Sequence, residues 1–349
     1  MIVPDSPWFF IVVFALSALL TGVTYVVIRR LRIVDVPNAR SSHNLPTPKG
    51  GGVALALVVC TCLFVSSSPA LLVLGAAGLI LSLVGLVDDV RGLDPLPRFL
   101  TQLGVAVAAL AFPLAALQAT SGVLITGFAA VTALLTVVWL TNLYNFIDGI
   151  DGIAALQTIL LGAGLYLLDS LGLYPGELAW LALVIACAAA GFMLFNFPPA
   201  RIFMGDTGSA FVGFVIAGAM MLDASLAPEV LWLWLILLAG FTCDATVTLI
   251  SRIVQGKPFH QAHRSHVYQL FCSWREQALR EQGVAAETAR TVAHRTWLLL
   301  FGLVFCLFQM PVALLVAAEM LPGIAGFIIV YGTLSALCVY ARAGRQGDS

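Results

Sequence analysis

Long apolar stretches alternate with short polar ones along the whole chain. Continuous apolar runs of about 20 residues are what a membrane-spanning helix needs, and they exclude the two-residue alternation of a barrel strand. Eleven such runs are predicted, at residues 8–28, 50–66, 69–87, 98–118, 123–141, 153–171, 177–195, 208–223, 229–250, 296–316 and 321–340. The chain therefore reads as an all-α integral membrane protein with about eleven transmembrane helices, a single polytopic domain over residues 1–349. The first run lacks a short apolar core followed by a small-residue cleavage site, so it is expected as a retained span.

Composition removes the soluble alternative: of 349 residues 60% are hydrophobic and 10% charged, against roughly 45–50% and 25% in soluble domains. The net charge of −1 gives no basic field for nucleic acid. The seven cysteines are odd in number, lie mostly inside apolar runs and lack metal spacing, so they are expected to serve packing.

The placement of charge gives the sidedness. Numbering the connections alternately, one side collects residues 29–49, 88–98, 142–152, 196–207, 251–295 and the C-terminal tail, which hold 5, 2, 0, 1, 7 and 2 basic residues, all 17 of the chain. The positive-inside rule makes that side cytoplasmic, with a periplasmic N-terminus and a cytoplasmic C-terminus. All five histidines lie there as well. Chemistry is therefore expected at the cytoplasmic face.

Carboxylates gather at that membrane boundary. Asp88 and Asp89 follow the apolar run LILSLVGLV, Asp148 and Asp151 lie in NLYNFIDGIDG, Asp206 precedes a span in NFPPARIFMGDTGS, and Asp244 sits inside an apolar stretch. Each alone has an ordinary explanation, such as a helix cap, a loop start or a turn. Four separate segments placing acids at one depth exceed what caps require, and an acid within a span implies function and a partner. Oxygen-only ligands favour a hard cation, and Mg²⁺ binds through one or two carboxylates plus substrate phosphates. Glycines in PKGGG, DGIDG and GDTGS are expected to let backbone N–H groups approach an anion, with Asp206 at the positive end of a helix dipole.

The first cytoplasmic segment, DVPNARSSHNLPTPKGGG, brings Arg40, His43 and Lys49 into a stiff Pro/Gly stretch suited to anion contact. The long loop carries GKPFHQAHRSHVYQ, in which His263 and His266 can share a face and bond phosphate oxygens. Residues 273–295 read as one or two amphipathic helices broken at Gly283, lying at the interface in a structural role.

In this order the motifs DVPNARSSHNLPTPKGGG, GLVDD with the following RFLTQ, NLYNFIDGIDG, NFPPARIFMGDTGSAFVG, and CDATVTLISR leading into HRSHVYQ resemble the polyprenyl-phosphate N-acetylhexosamine-1-phosphate transferases over nearly the whole chain. The resemblance implies transfer of a sugar 1-phosphate from a UDP-N-acetyl sugar to undecaprenyl phosphate at the bilayer, with release of UMP. It also implies a requirement for Mg²⁺, with Mn²⁺ as a substitute, and allows a homodimer. By position it implies that Asp88 and Asp89 bind or deprotonate the lipid phosphate and that Asp206, with Asp88, coordinates the metal. It places Asn142, Asn145, Asp148 and Asp151 in the nucleotide pocket and Asn196 and Phe203 near it. Lys49, Arg98, Asp244, His263, Arg264 and His266 are the remaining expected substrate contacts.

Two positions depart from the family pattern. His263-Arg264-Ser265-His266 keeps the outer pair of a cluster that often has three histidines, which points away from the peptidoglycan branch, and Arg98 stands where many members carry Lys. The O-antigen branch fits best, with UDP-GlcNAc or a 6-deoxy relative such as UDP-FucNAc or UDP-QuiNAc as donor. One-step attack by the lipid phosphate and a two-step route through an aspartyl-phosphate both fit. The alternative class, a secondary transporter, calls for midplane charges and an internal repeat, and the sequence shows neither.

Overall fold

A computed structural model describes residues 6–35, 46–257 and 263–345. Arg40 and His43 lie outside the described residues. The helices, in order, are α1 (Pro7–Leu31), α2 (Gly52–Val65), α3 (Pro69–Arg91), α4 (Pro95–Thr120), α5 (Val123–Ile147), α6 (Ile153–Ser170) and α7 (Ala179–Asn196). They continue with α8 (Asp206–Leu226), α9 (Val230–Val254), α10 (Val267–Glu281), α11 (Ala286–Val304), α12 (Met310–Ala317) and α13 (Gly323–Tyr340). A π-helical turn, Phe305–Gln309, joins α11 to α12, so residues 286–317 form one run.

Ten helical runs among the described residues are long and apolar enough to cross a membrane. The eleventh expected run is α2, whose 14 residues extend only about 21 Å at 1.5 Å per residue, short of the roughly 30 Å hydrocarbon layer. Leu124, Phe128 and Leu307 are among many large apolar side chains that face outward, as a chain solvated by acyl tails requires.

α8 is the hub, packing against α2, α3, α4, α5, α7 and α9. Its start is reached so closely because of glycines. A Cβ at Gly52 would lie 2.2 Å from the Gly208 Cα, so α2 and α8 touch backbone to backbone.

A short antiparallel ribbon, β1 (Val34–Asp35) with β2 (Thr47–Pro48), brings the chain from α1 to this point. The chain continuing from β2 is tied to the segment before α8: Phe203 N–H donates to Pro48 O at 2.8 Å, Gly51 N–H to Phe203 O at 2.9 Å and Gly52 N–H to Met204 O at 2.9 Å. At the opposite end of α8 the fully buried Asp223 accepts the Tyr174 hydroxyl, the Glu177 and Leu178 N–H groups (2.8 and 3.2 Å) and the Trp234 indole N–H (3.3 Å). Four neutral donors satisfy this carboxylate and fix the loop before α7.

One expectation is corrected in the long loop. The break at Gly283 is present, with φ +86°, and α10 is a separate amphipathic helix. Residues 286–295 are not a second interfacial helix but the start of the next span. Their buried Arg290 and His294 face a carboxylate of another loop, which lets a polar turn continue into an apolar helix.

Candidate functional site

Lys49, Asp88, Asp89, Arg98 and Asp206, from four distant segments, converge at one end of the helix bundle. Lys49 Nζ lies 2.9 Å from Asp89 Oδ1 and 3.6 Å from Asp206 Oδ1. Arg98 Nη1 lies 2.6 Å from Asp88 Oδ2 and 3.1 Å from Asp206 Oδ2. Asp206 is thus held by a different cation at each oxygen. Burial disfavours the Lys49 charge, but Asp89 and Asp206 outweigh it and hold its pKa above the ordinary lysine value. Three carboxylates against two cations leave the cluster one negative charge.

The two neighbouring aspartates have different work. Asp88 accepts the Leu93 N–H at 2.6 Å and Arg98. The Asp89 side chain has no exposure and caps α8, accepting the N–H groups of Asp206 (2.9 Å) and Thr207 (3.0 Å) and the Thr207 hydroxyl (2.6 Å). Gly205 makes room for this cap: its φ is +73°, and a Cβ there would lie 2.3 Å from Asp89 Oδ2. Asp89, expected to touch the lipid phosphate, is enclosed here and bonded to Lys49 and the α8 start, because a helix start offers free donors that a buried carboxylate satisfies.

The glycine-rich segments are corrected in the same way. The N–H groups at the start of α8 and those of Gly50, Gly51 and Gly52 bond to Asp89, Phe203 and Met204. They are not free anion donors; the glycines serve close approach of chain segments.

A small cavity of about 20 Å³ beneath the cluster is lined by Asp88, Arg98, Gln102, Asn145 and Asp206 among others. Asn145 donates to Ser209 Oγ at 3.1 Å, and Asn142 donates to Gln102 Oε1 at 2.7 Å and to Val138 O at 2.8 Å. Gln102 lies one turn after Arg98 on α4, a spacing of four that puts both on one face.

Loop 148–152 joins this cluster to two others. Burial, with repulsion from Asp206, pushes the Asp148 carboxyl up to about 7. Asp151 behaves oppositely. Burial works against its charge, but His294 at 3.5 Å, the Ala200 N–H at 3.1 Å and Arg290 at 3.9 Å hold it below the usual carboxylate range. Asn196, 3% exposed, accepts the Gly152 N–H at 2.9 Å and donates to Ile202 O at 2.9 Å. Asp151 and Asn196 therefore sit behind the surface, bracing the loops that carry Asp148 and the half-buried Phe203. Arg295 braces the same region, donating to Pro198 O at 2.9 Å and stacking over Phe197 at 5.4 Å.

In the third group the buried Asp244 is met by the histidine loop. It accepts the Val267 N–H at 3.0 Å and the Thr248 hydroxyl at 3.2 Å, with His266 Nδ1 at 3.4 Å. The His263 and His266 rings are 5.0 Å apart, and Arg264 has a buried Nε without a hydrogen bond among the described residues. Tyr268 donates to Phe146 O at 3.4 Å and so docks α10 beside the Asp148 loop.

Sequence reasoning missed Gln102, Thr207, Arg290, His294 and Arg295. The available signal was helical spacing: Arg98 with Gln102 and Arg290 with His294 each lie four apart.

No group of three or more His, Cys, Asp or Glu among the described residues is arranged to hold a metal ion by itself. The donor set still fits a hard cation. Asp88 Oδ2 and Asp206 Oδ2 both lie within 3.1 Å of one point, the Arg98 nitrogen, and Mg²⁺ is ordinarily held by one or two carboxylates with substrate phosphates completing its shell.

Fold and site together define a polytopic helical membrane protein with a dense acid–base cluster at one membrane boundary. The sequence profile of glycosyl transferase family 4 matches residues 71–223. The Bacillus subtilis protein named "Probable undecaprenyl-phosphate N-acetylglucosaminyl 1-phosphate transferase" is 30% identical over 279 residues, 74% of this chain and 76% of its own length. A Mycobacterium leprae decaprenyl-phosphate N-acetylglucosaminephosphotransferase is 34% identical over 57% of this chain and 56% of its own. A Thermotoga maritima undecaprenyl-phosphate alpha-N-acetylglucosaminyl 1-phosphate transferase is 28% identical over 72% and 78%. The chain belongs to glycosyl transferase family 4, as a multi-pass membrane polyprenyl-phosphate hexosamine-1-phosphate transferase.

Proposed function

We propose that the protein transfers N-acetylglucosamine 1-phosphate from UDP-N-acetylglucosamine to undecaprenyl phosphate and releases UMP, at the cytoplasmic face and with Mg²⁺. The observation that carries this reading is the convergence of Asp88, Arg98, Asp206 and Lys49 on one point at the bundle end. The acceptor's tail must stay in the bilayer while the nucleotide sugar stays in water, and a boundary site lets them meet. The names of the three relatives support N-acetylglucosamine as the sugar. The product then opens a lipid-linked envelope glycan, of which O-antigen is one class.

In this reading Lys49 and Arg98 receive the phosphates, and the Arg98 fork suits two phosphate oxygens at once. Asp88, the less enclosed of the neighbouring pair, faces the acceptor phosphate, while Asp89 holds the α8 start and Lys49 in register. Asp206 and Asp88 would hold the metal, which supplies charge neutralisation on the diphosphate when bound. Asp148, neutral below about pH 7, can donate a hydrogen bond to substrate that an ionised carboxylate cannot.

The test incubates purified protein in detergent with undecaprenyl phosphate, Mg²⁺ and labelled UDP-GlcNAc, UDP-FucNAc and UDP-QuiNAc, alongside Asp206→Ala. Lipid labelling from UDP-GlcNAc with UMP release, dependent on Mg²⁺ and lost in the variant, is expected. Labelling from another donor overturns the sugar, and no labelling by folded protein overturns the activity.

A further inference from the structure

One nitrogen of Arg98 lies against both Asp88 Oδ2 and Asp206 Oδ2, at 2.6 and 3.1 Å. These are the oxygens assigned above to the metal, and a guanidinium nitrogen and a divalent cation exclude each other there by volume and by charge. We propose that Arg98 is an internal counter-ion that competes with the metal for Asp88 and Asp206 and is handed to a substrate phosphate when the metal binds. The inference rests on the proposed metal role of that pair, and its consequence is that metal and nucleotide bind cooperatively.

Arg98 is the cation that can leave. Lys49 is tied at 2.9 Å to Asp89, whose side chain is wholly enclosed and pinned by α8. The Arg98 side chain, 33% exposed against 28% for Lys49, stands in the first turn of α4, and neither of its two carboxylate partners caps α8 as Asp89 does. Charge points the same way. The cluster carries one net negative charge, so a divalent ion that enters turns it positive by one. That sign receives a diphosphate, and the arginine released from the carboxylates adds a bidentate donor for it. Neither cation nor phosphate gains this arrangement alone.

Mn²⁺ serves as the metal probe and UMP as the phosphate probe, with binding to protein in detergent followed by electron paramagnetic resonance. In wild-type protein UMP should tighten Mn²⁺ binding about tenfold, and Mn²⁺ should tighten UMP by the same factor, since coupling between sites is reciprocal. Arg98→Gln should bind Mn²⁺ about tenfold more tightly than wild type without UMP and lose most of the UMP effect. Arg98→Lys, which keeps the charge, should bind Mn²⁺ alone as weakly as wild type. Independent binding of Mn²⁺ and UMP by wild-type protein overturns the inference without recourse to any variant. Unchanged or weaker Mn²⁺ binding by folded Arg98→Gln also overturns it. Failure of the metal assignment reads differently: Mn²⁺ then binds no form of the protein, or binds Asp206→Ala as well as wild type.

Discussion

Asp89 on α3 and Thr207 on α8 are joined twice, the backbone N–H of Thr207 donating to Asp89 Oδ2 at 3.0 Å and its hydroxyl to the same oxygen at 2.6 Å. A carboxylate 118 residues away in sequence thus acts as the cap of the helix that begins with Asp206. The adjacent Asp88 accepts no α8 backbone N–H among the described residues; its carboxyl meets the Asp206 side chain and Arg98. Adjacent residues of one type thus take different partners, Asp89 the α8 start and Lys49, Asp88 the Leu93 N–H and Arg98.

That division separates two variants. Asp89→Ala removes a fully enclosed charge from Lys49 and the α8 start, and breaking a buried pair from one side costs about 3–5 kcal/mol. Asp88→Asn keeps the side-chain volume and faces a half-exposed arginine, so it should unfold close to wild type. Both should lose transfer activity. Thermal unfolding in detergent distinguishes them, with a large drop for Asp89→Ala and little for Asp88→Asn.

Gly205→Ala places a methyl group 2.3 Å from Asp89 Oδ2 at a φ of +73°. The new side chain meets both a collision and a left-handed backbone. The variant should lose activity and unfold at lower temperature, while Gly92→Ala, which has a similar φ of +69° but no neighbour within 4 Å, should lose only the backbone-strain part, about 1–3 kcal/mol of stability. Comparing turnover in the two isolates the contact from the backbone strain.

Asp148 and Asp151 should respond to pH with opposite sign. Asp148 titrates near 7 in the folded protein and near 3.9 when unfolded. The folded state therefore holds a proton that the unfolded chain releases, and the stability this gives is complete below about pH 4 and lost as pH rises toward 7. Asp148→Asn should flatten that fall in unfolding temperature between about pH 5 and 7. The lowered pKa of Asp151 makes it stabilising above about pH 4, with the gain lost as pH falls through its folded value. Asp151→Asn should be less stable than wild type at neutral pH, and the gap should close in acid.

Gln102→Leu leaves the Asn142 amide with Val138 O as its remaining acceptor and removes the only amide that lines the cavity from α4. An unsatisfied buried donor costs about 1–3 kcal/mol. The variant should fold, unfold at lower temperature and lose activity, while Gln102→Glu, which retains an acceptor for Asn142, should recover stability but repel the carboxylates and stay slow. Unfolding temperature and initial transfer rate, measured on both variants, check this.

The amino-acid sequence by itself determined the membrane class and the helix order, because about 20 apolar residues in succession have one stable conformation in lipid, with every backbone bond made inside the segment. It pointed to Asp88 and Asp206 because charge at a membrane boundary is costly enough to need a reason, but its count of eleven spans includes the short α2, so it is the contact of Lys49 with Asp89 that puts the first polar segment beside the others.

What only the tertiary structure decided is which of these groups meet. Asp89 and Asp88 are indistinguishable as letters, and their roles part only when the start of α8 arrives beside one of them and claims its oxygens. The glycine segments looked like anion cradles until other chain segments were seen to take their N–H groups. Arg290 and His294 read as the polar face of an interfacial helix, yet they brace Asp151 from across the bundle. Span formation depends on composition over a local window, whereas a hydrogen bond between residues a hundred positions apart depends on packing angles that no local window contains.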